Sequence, residues 1–242
     1  TGQSANTAKA VSRPASYAAS SFASAARKFD FFLAKGSDCA DSLFRDYGVR
    51  RDRCLVTLAP QDLEHVTPGP KSISSPVRLL FVGNDFARKG GDFLLRLYAE
   101  HLSGTCSLTI ASNDAILERQ KLPPGVQWLR GKTHDQLLDV YRASDIFVFP
   151  TQQDYIPQVL AEALAAGLPC FTSNLLGTRD LVRNGETGYL IPHDAPAEVW
   201  AAHLNRLVAN RAELRRMSIC ARRFAEVNLG LDRFESLITD VI

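Results

Sequence analysis

The sequence predicts an α/β chain built on a doubly wound parallel sheet, with a small strand–helix–strand piece ahead of it. Two observations carry this. From Val77 onward, short apolar runs alternate with segments of helical periodicity, the pattern of strands joined by crossover helices. The runs are also apolar throughout, as in "VRLLFV" and "DIFVFP", so both faces of each strand should be covered.

Taken in order, residues 1–28 are rich in Ala and Ser, with Lys9, Arg13, Arg27 and Lys28 and no acid before Asp30. Such a segment suits an organelle transit peptide; the plainer reading is a helix or linker belonging to a neighbouring domain. Because the chain starts at Thr1, it is expected to be a piece of something longer. Residues 29–66 read as "FDFFLA" (strand), "DCADSLFRDYGV" (helix ending at Gly48) and "CLVTLA" (strand). Pro68, Gly69, Pro70 and Pro76 among serines mark 67–76 as a linker and a domain boundary.

The main domain is expected over 77–228. Strand "VRLLFV" leads to helix "GGDFLLRLYAEHL", then strand "CSLTIA" and a short helix. Strand "VQWLR" precedes "THDQLLDVYRA", where Thr133 and Gln136 form a capping-box start. "DIFVFP", a helix from about Pro157 to Ala166, "PCFTS", a helix from about Thr178 and "GYLIP" complete the alternation. From Ala195 the chain is helical, with a last helix within 229–242.

The totals exclude several classes. A net charge of +2 over 242 residues leaves no nucleic-acid footprint. The five cysteines are odd in number and form no C-x-x-C pair, so structural zinc and a disulfide framework are not expected and a reducing cytosol is the default. No apolar run reaches the ~18 residues of a membrane span, so any membrane contact would be peripheral, at the inner face.

Two stretches carry chemistry. In "FVGNDFARKGGD", Gly83 follows a strand and Arg88 and Lys89 sit at the start of a helix. Cations there are unfavourable against the helix dipole unless an anion joins them, so the pattern suits a diphosphate. It is neither the dinucleotide fingerprint nor the P-loop, since Asp92 follows Gly91. In "FVFPTQQDYIPQVLAEALAAG", Asp154 lies past a strand end and Glu162 inside the following helix. The amino terminus of that helix is an anion site, and carboxylates near it suit neutral hydroxyls of a sugar or ribose. The plainer alternative is a strand-ending acid and a solvated helix face.

These segments, with "VQWLRGKTHDQLLDVYRASDIFVFPTQQD" and "LLGTRDLVRNGETGYLIPHDAPAEVWAAHL", resemble the donor-binding C-terminal domain of the group 1 (family 4) retaining glycosyltransferases, from about Leu79 to Phe224. Around "DFARKG" the style is that of the heptose-directed glucosyltransferases of lipopolysaccharide core assembly. The resemblance implies the GT-B fold, two facing Rossmann-like domains, with residues 29–66 the last piece of the acceptor domain and the rest of that domain outside the chain. It implies metal-independent transfer of a hexose from a UDP-, GDP- or ADP-sugar to a glycan or glycolipid hydroxyl, with no other cofactor. The isolated chain would then bind donor without transfer.

Residue by residue, the family's E-x7-E pattern falls on Asp154, toward the transferred sugar, and Glu162, toward the ribose. Its basic pair falls on Lys89, with Arg88 beside it. The strand-end positions fall on Gly83 and Asn84, the phosphate-binding N–H groups on Gln158 and Val159, and the segment near the base on Arg130 to Lys132. Asp154, Lys89 and Arg88 are the residues implied in catalysis. Three departures bear on the sugar: an Asp as first acid, Tyr155 and Pro157 where small residues are usual, and Asn84 where Arg is common. Pro157 also lacks an N–H. There is no D-x-D triplet, and His134, His193 and His203 receive no catalytic role. Two further readings stay open: a non-catalytic nucleotide-sugar binding or interaction module, and, less favoured by the acidic pair and basic loop, a nucleotide-sugar 2-epimerase.

Overall fold

The computed structural model describes residues 22, 24, 26, 28–69, 73 and 75–239. The Ala/Ser-rich segment expected over 1–28 lies almost wholly outside them, as do part of the 67–76 linker and the last residues of the 229–242 helix. Within the described residues the chain divides into two compact units, one up to Val56 and one from Thr57 onward.

The first unit holds β1 (Phe32–Lys35), α1 (Ser37–Tyr47) and all but the last residue of β2 (Cys54–Thr57), with β1 and β2 paired in a two-stranded sheet. Gly48, at φ 68°, ends α1. Its N–H bonds Phe44 O, and that of Val49 bonds Leu43 O, the left-handed closure that glycine permits at least cost. Phe29, Phe31, Leu33 and Val56 remain exposed.

The second unit is the doubly wound domain. Its strands are β3 (Val77–Val82), β4 (Cys106–Ala111), β5 (Val126–Leu129), β6 (Ile146–Phe149), β7 (Cys170–Ser173) and β8 (Gly188–Ile191). They lie in the order β5-β4-β3-β6-β7-β8, every neighbouring pair parallel. All of β6 and β7 is buried, as unbroken apolar runs require. The helices are α2 (Gly91–Leu97), continued by a π-helical turn at Tyr98–Leu102, then α3 (His134–Arg142), α4 (Gln158–Ala165), α5 (Leu176–Arg179), α6 (Ala197–Ala209), α7 (Arg211–Asn228) and α8 (Leu231–Thr239). Thr133 and Gln136 close the capping box on α3. The short helix expected after β4 is a 3-10 turn, Ala115–Arg119, capped by Asp114. Phe93 of α2 meets Trp200 of α6 edge-on, centroids 5.7 Å apart, while Ser218 of α7 donates to Gly167 O beyond the end of α4.

A boundary was expected at 67–76, but the division of the chain falls between Val56 and Thr57, because the residues just before the Pro/Ser-rich stretch belong to the large unit. Ala59 and Val66 lie in its core, and Gln61 N–H donates to Leu229 O at 2.6 Å. Arg222 of α7 donates to Val66 O, Leu63 O and Ala165 O at 2.6, 3.1 and 2.8 Å, and Arg142 to His65 O at 2.8 Å. No local pattern announces such tertiary ties. Replacing Arg222 by Met would leave three carbonyls short of a donor. The expected cost is about 2–3 kcal/mol, read as a lower unfolding midpoint and faster proteolysis between residues 57 and 76.

Candidate functional site

The strand order reverses between β3 and β6, and the candidate residues gather at the carboxyl ends of those two strands, where ligands of open α/β sheets bind. After β3, Gly83 N–H bonds Ala111 O, and a Cβ on Gly83 would stand 3.3 Å from Lys89 Cγ. The loop then folds on itself: Lys89 N–H bonds Asp85 O and Gly91 N–H bonds Phe86 O. The Phe86 ring is buried edge-on against Phe81. The loop after β4 holds it from the other side. Asp114 Oδ2 accepts from Phe86 N at 2.7 Å, and Asn84 Oδ1 accepts from Asn113 N at 2.8 Å. Gly90 takes φ 81°, and a Cβ there would fall 1.9 Å from Pro150 O, so only glycine lets this loop press on the one after β6.

The two loops are joined directly. Lys89 Nζ is ion-paired with Asp154 Oδ2, the side chains 16 % and 15 % exposed, and the ammonium lies 5.2 Å from the centroid of the Phe149 ring. Arg88 donates to Gln153 O at 2.6 Å and pairs with Asp85 at 2.5 Å, while Gln152 N–H donates to Arg88 O at 3.0 Å. Asp154, expected to face only neutral hydroxyls, thus also neutralises the cation expected to face phosphate.

Beyond Asp154 the chain enters α4 with Pro157 as N-cap, not in the first turn. Leu160 N–H bonds Pro157 O. Among the described residues, the N–H groups of Gln158 and Val159 find no protein acceptor. Gln158 Oε1 accepts from Gln61 Nε2 at 3.0 Å. One turn in, Glu162 is half-buried, and its Oε2 accepts from the Tyr141 hydroxyl at 2.9 Å. Burial, and after it the Glu162 charge, push the Tyr141 phenol well above its ordinary range. Gly177, at the start of α5, backs onto the Tyr155 carbonyl, where a Cβ would fall 1.0 Å away. Tyr155 itself is 77 % exposed.

Gly83, Asn84, Arg88, Lys89, Asp154, Gln158, Val159 and Glu162 therefore share one region of the fold. Arg130 and Lys132 lie beyond the end of β5, the outermost strand on that side. Arg130 is ion-paired with Glu118 and set 5.9 Å from the centroid of the Trp128 ring, and neither residue contacts the acidic pair. Their link to the rest is Asn113, whose Oδ1 accepts from Gly131 N. Sequence reasoning did not identify Tyr141 or Gln61 as parts of the site, because each acts through a fold contact. The only local signal was the coincidence of Tyr141 and Glu162 on successive helices.

Residues 76–210 match the family model described as Glycosyl transferases group 1, and the chain belongs to that family. A D-inositol 3-phosphate glycosyltransferase of Rhodococcus jostii (strain RHA1) is 30 % identical over 221 residues, 81 % of this chain and 49 % of the relative. The chain thus spans about half the length of the curated relatives it matches. Among solved structures, the sucrose-phosphate synthase of Thermosynechococcus elongatus superposes with a TM-score of 0.77 at 18 % identity, over 93 % of this chain and 61 % of that one. Anabaena HepE in complex with UDP and glucose gives 0.75 at 15 % identity, over 93 % and 66 %. The domain from β3 onward is a GT-B glycosyltransferase C-terminal domain.

Asp114 supplies a pH test of the loop frame. Hydrogen bonds from Ile116 N and then Phe86 N hold its carboxyl below the ordinary value of 3.8. The folded value being the lower, its contribution to stability is present above the unfolded value and is lost as pH falls through the folded one. Asp114→Asn should therefore flatten the acid limb of the stability curve, measured by urea unfolding at a series of pH values below about 5.

Proposed function

We propose that this chain binds the nucleotide-diphosphate sugar of a retaining glycosyltransferase, a hexosyltransferase acting on a hydroxyl of a glycan or glycolipid. The observation that carries the reading is the Lys89–Asp154 pair, which sets a cation and a carboxylate side by side between two strand ends, next to the α4 amino terminus. In this reading the diphosphate takes Lys89 from Asp154. Arg88, Lys89 and the N–H groups of Gln158 and Val159 meet the charge that develops on the β-phosphate as the anomeric C–O bond breaks. Asp154, released, accepts from hydroxyls of the transferred sugar. Glu162 accepts from the ribose, and Gly83 and Asn84 allow close backbone approach to the phosphates. Arg130 and Lys132 flank the base.

In this reading those protein groups meet the charge without a metal ion. A cytoplasmic setting with peripheral contact at the inner membrane face suits a polysaccharide or lipopolysaccharide acceptor. Among the described residues, no helix is long and apolar enough to cross a membrane. Anabaena HepE was solved in complex with UDP and glucose, which makes UDP the first nucleotide to try, before GDP and ADP.

Three variants test the reading by calorimetry with the free diphosphate and its sugar conjugate. Lys89→Ala should weaken both about tenfold or more, since a charge-assisted contact in a partly buried site is worth about 1.5–3 kcal/mol. Asp154→Ala should leave free nucleotide binding intact or tighter, because it frees Lys89, while weakening the sugar conjugate. Glu162→Ala should weaken both ligands. Unchanged affinities in all three would overturn the assignment, and tight binding by a full-length protein that transfers no sugar would favour a binding module instead.

A further inference from the structure

We propose that Tyr141 is a positioning residue of the donor site, holding the Glu162 carboxylate for the ribose hydroxyls. This rests on the ribose assignment just made. Tyr141 sits in the last turn of α3, a helix fixed at its other end by the Thr133–Gln136 capping box. Its side chain is fully buried, with the ring 5.9 Å from that of Phe147 on β6. The hydroxyl has one proton to give and two acceptors near it: Glu162 Oε2 at 2.9 Å and Val159 O at 3.2 Å. The nearer acceptor is the carboxylate, and a bond to an ionised group is the stronger one. With burial and the neighbouring charge keeping the phenol protonated, the donor persists at any working pH.

The consequence for Glu162 is geometric. A glutamate on a helix has three rotatable side-chain bonds, and ordering such a chain on binding costs affinity. Here Oε2 is already tied, and among the described residues no protein donor reaches Oε1. One oxygen is anchored and the other is open to a ligand hydroxyl.

The test is isothermal titration of the full 242-residue chain with UDP, GDP and ADP, followed by the 2′,3′-dideoxy form of whichever binds. In the wild type, removing the ribose hydroxyls should weaken binding roughly tenfold. Tyr141→Phe keeps the ring and its packing. It should weaken the ribonucleotide roughly fivefold to tenfold, leave the dideoxy form unchanged, and so collapse the ratio between them. A purely structural tie between α3 and α4 would weaken both ligands by the same factor, and that result, or an unchanged ratio, overturns the proposal. Glu162→Gln separates the two levels. If it collapses the ratio and Tyr141→Phe does not, the ribose assignment stands and only the positioning role falls. If neither variant moves the ratio, or if no nucleoside diphosphate binds the wild type, the ribose assignment falls and the inference with it.

Discussion

The reversal of strand order between β3 and β6 is the constraint on which the rest depends. From β3 the chain proceeds outward to β4 and β5, and from β6 it proceeds the other way to β7 and β8. Right-handed crossovers then send the connections after β3 and after β6 to opposite faces of the sheet. The two loops leave adjacent strand ends and part, and the gap between them is the one place where a ligand can touch both. Gly83, Lys89 and Asp154 fall there by virtue of being the residues that follow β3 and β6. Gly90 lets the loops approach until backbone meets backbone at Pro150.

That closeness has an electrostatic cost and a remedy. Lys89 and Asp154 are mostly withdrawn from water, where an unpaired charge is expensive. Each removes most of that penalty for the other, and the Phe149 ring adds a second partner for the ammonium. In the proposed reading a diphosphate, which carries more charge than one carboxylate, displaces it while leaving the cation satisfied, so a pair that is stable without ligand is exchanged for a phosphate contact. Arg88 is placed differently: its guanidinium reaches Gln153 O and Asp85, so it ties the loops as well as adding charge.

The sheet, its order of elements and the capping box on α3 were legible in the sequence because each leaves a local pattern: apolar runs, helical spacing, Thr followed three places on by Gln. The acidic pair and the Gly–Arg–Lys loop were legible as residue types in a suggestive place. What local pattern could not reveal is pairing at a distance. The partnership of Lys89 with Asp154 spans 65 positions, and that of Arg222 with Val66 spans 156. The second ties the segment just before the proline and serine near residue 70 to the large unit through an arginine that lies near the far end of the chain.

Pro157 shows how position decides what a departure means. In the sequence it stands where a donor is wanted, and proline has none. In the structure it is the N-cap, at φ −71°, and its carbonyl accepts from Leu160 N. The donors it leaves are the N–H groups of Gln158 and Val159, the first two inside the helix. A proline there gives up one of the free N–H groups at a helix start and in return fixes the entry angle of the chain. Gln61, itself buried, takes the Gln158 amide oxygen and so holds the Gln158 side chain to the preceding segment. The helix start therefore presents fewer donors than a glycine-led one would, but presents them from a backbone that is already set.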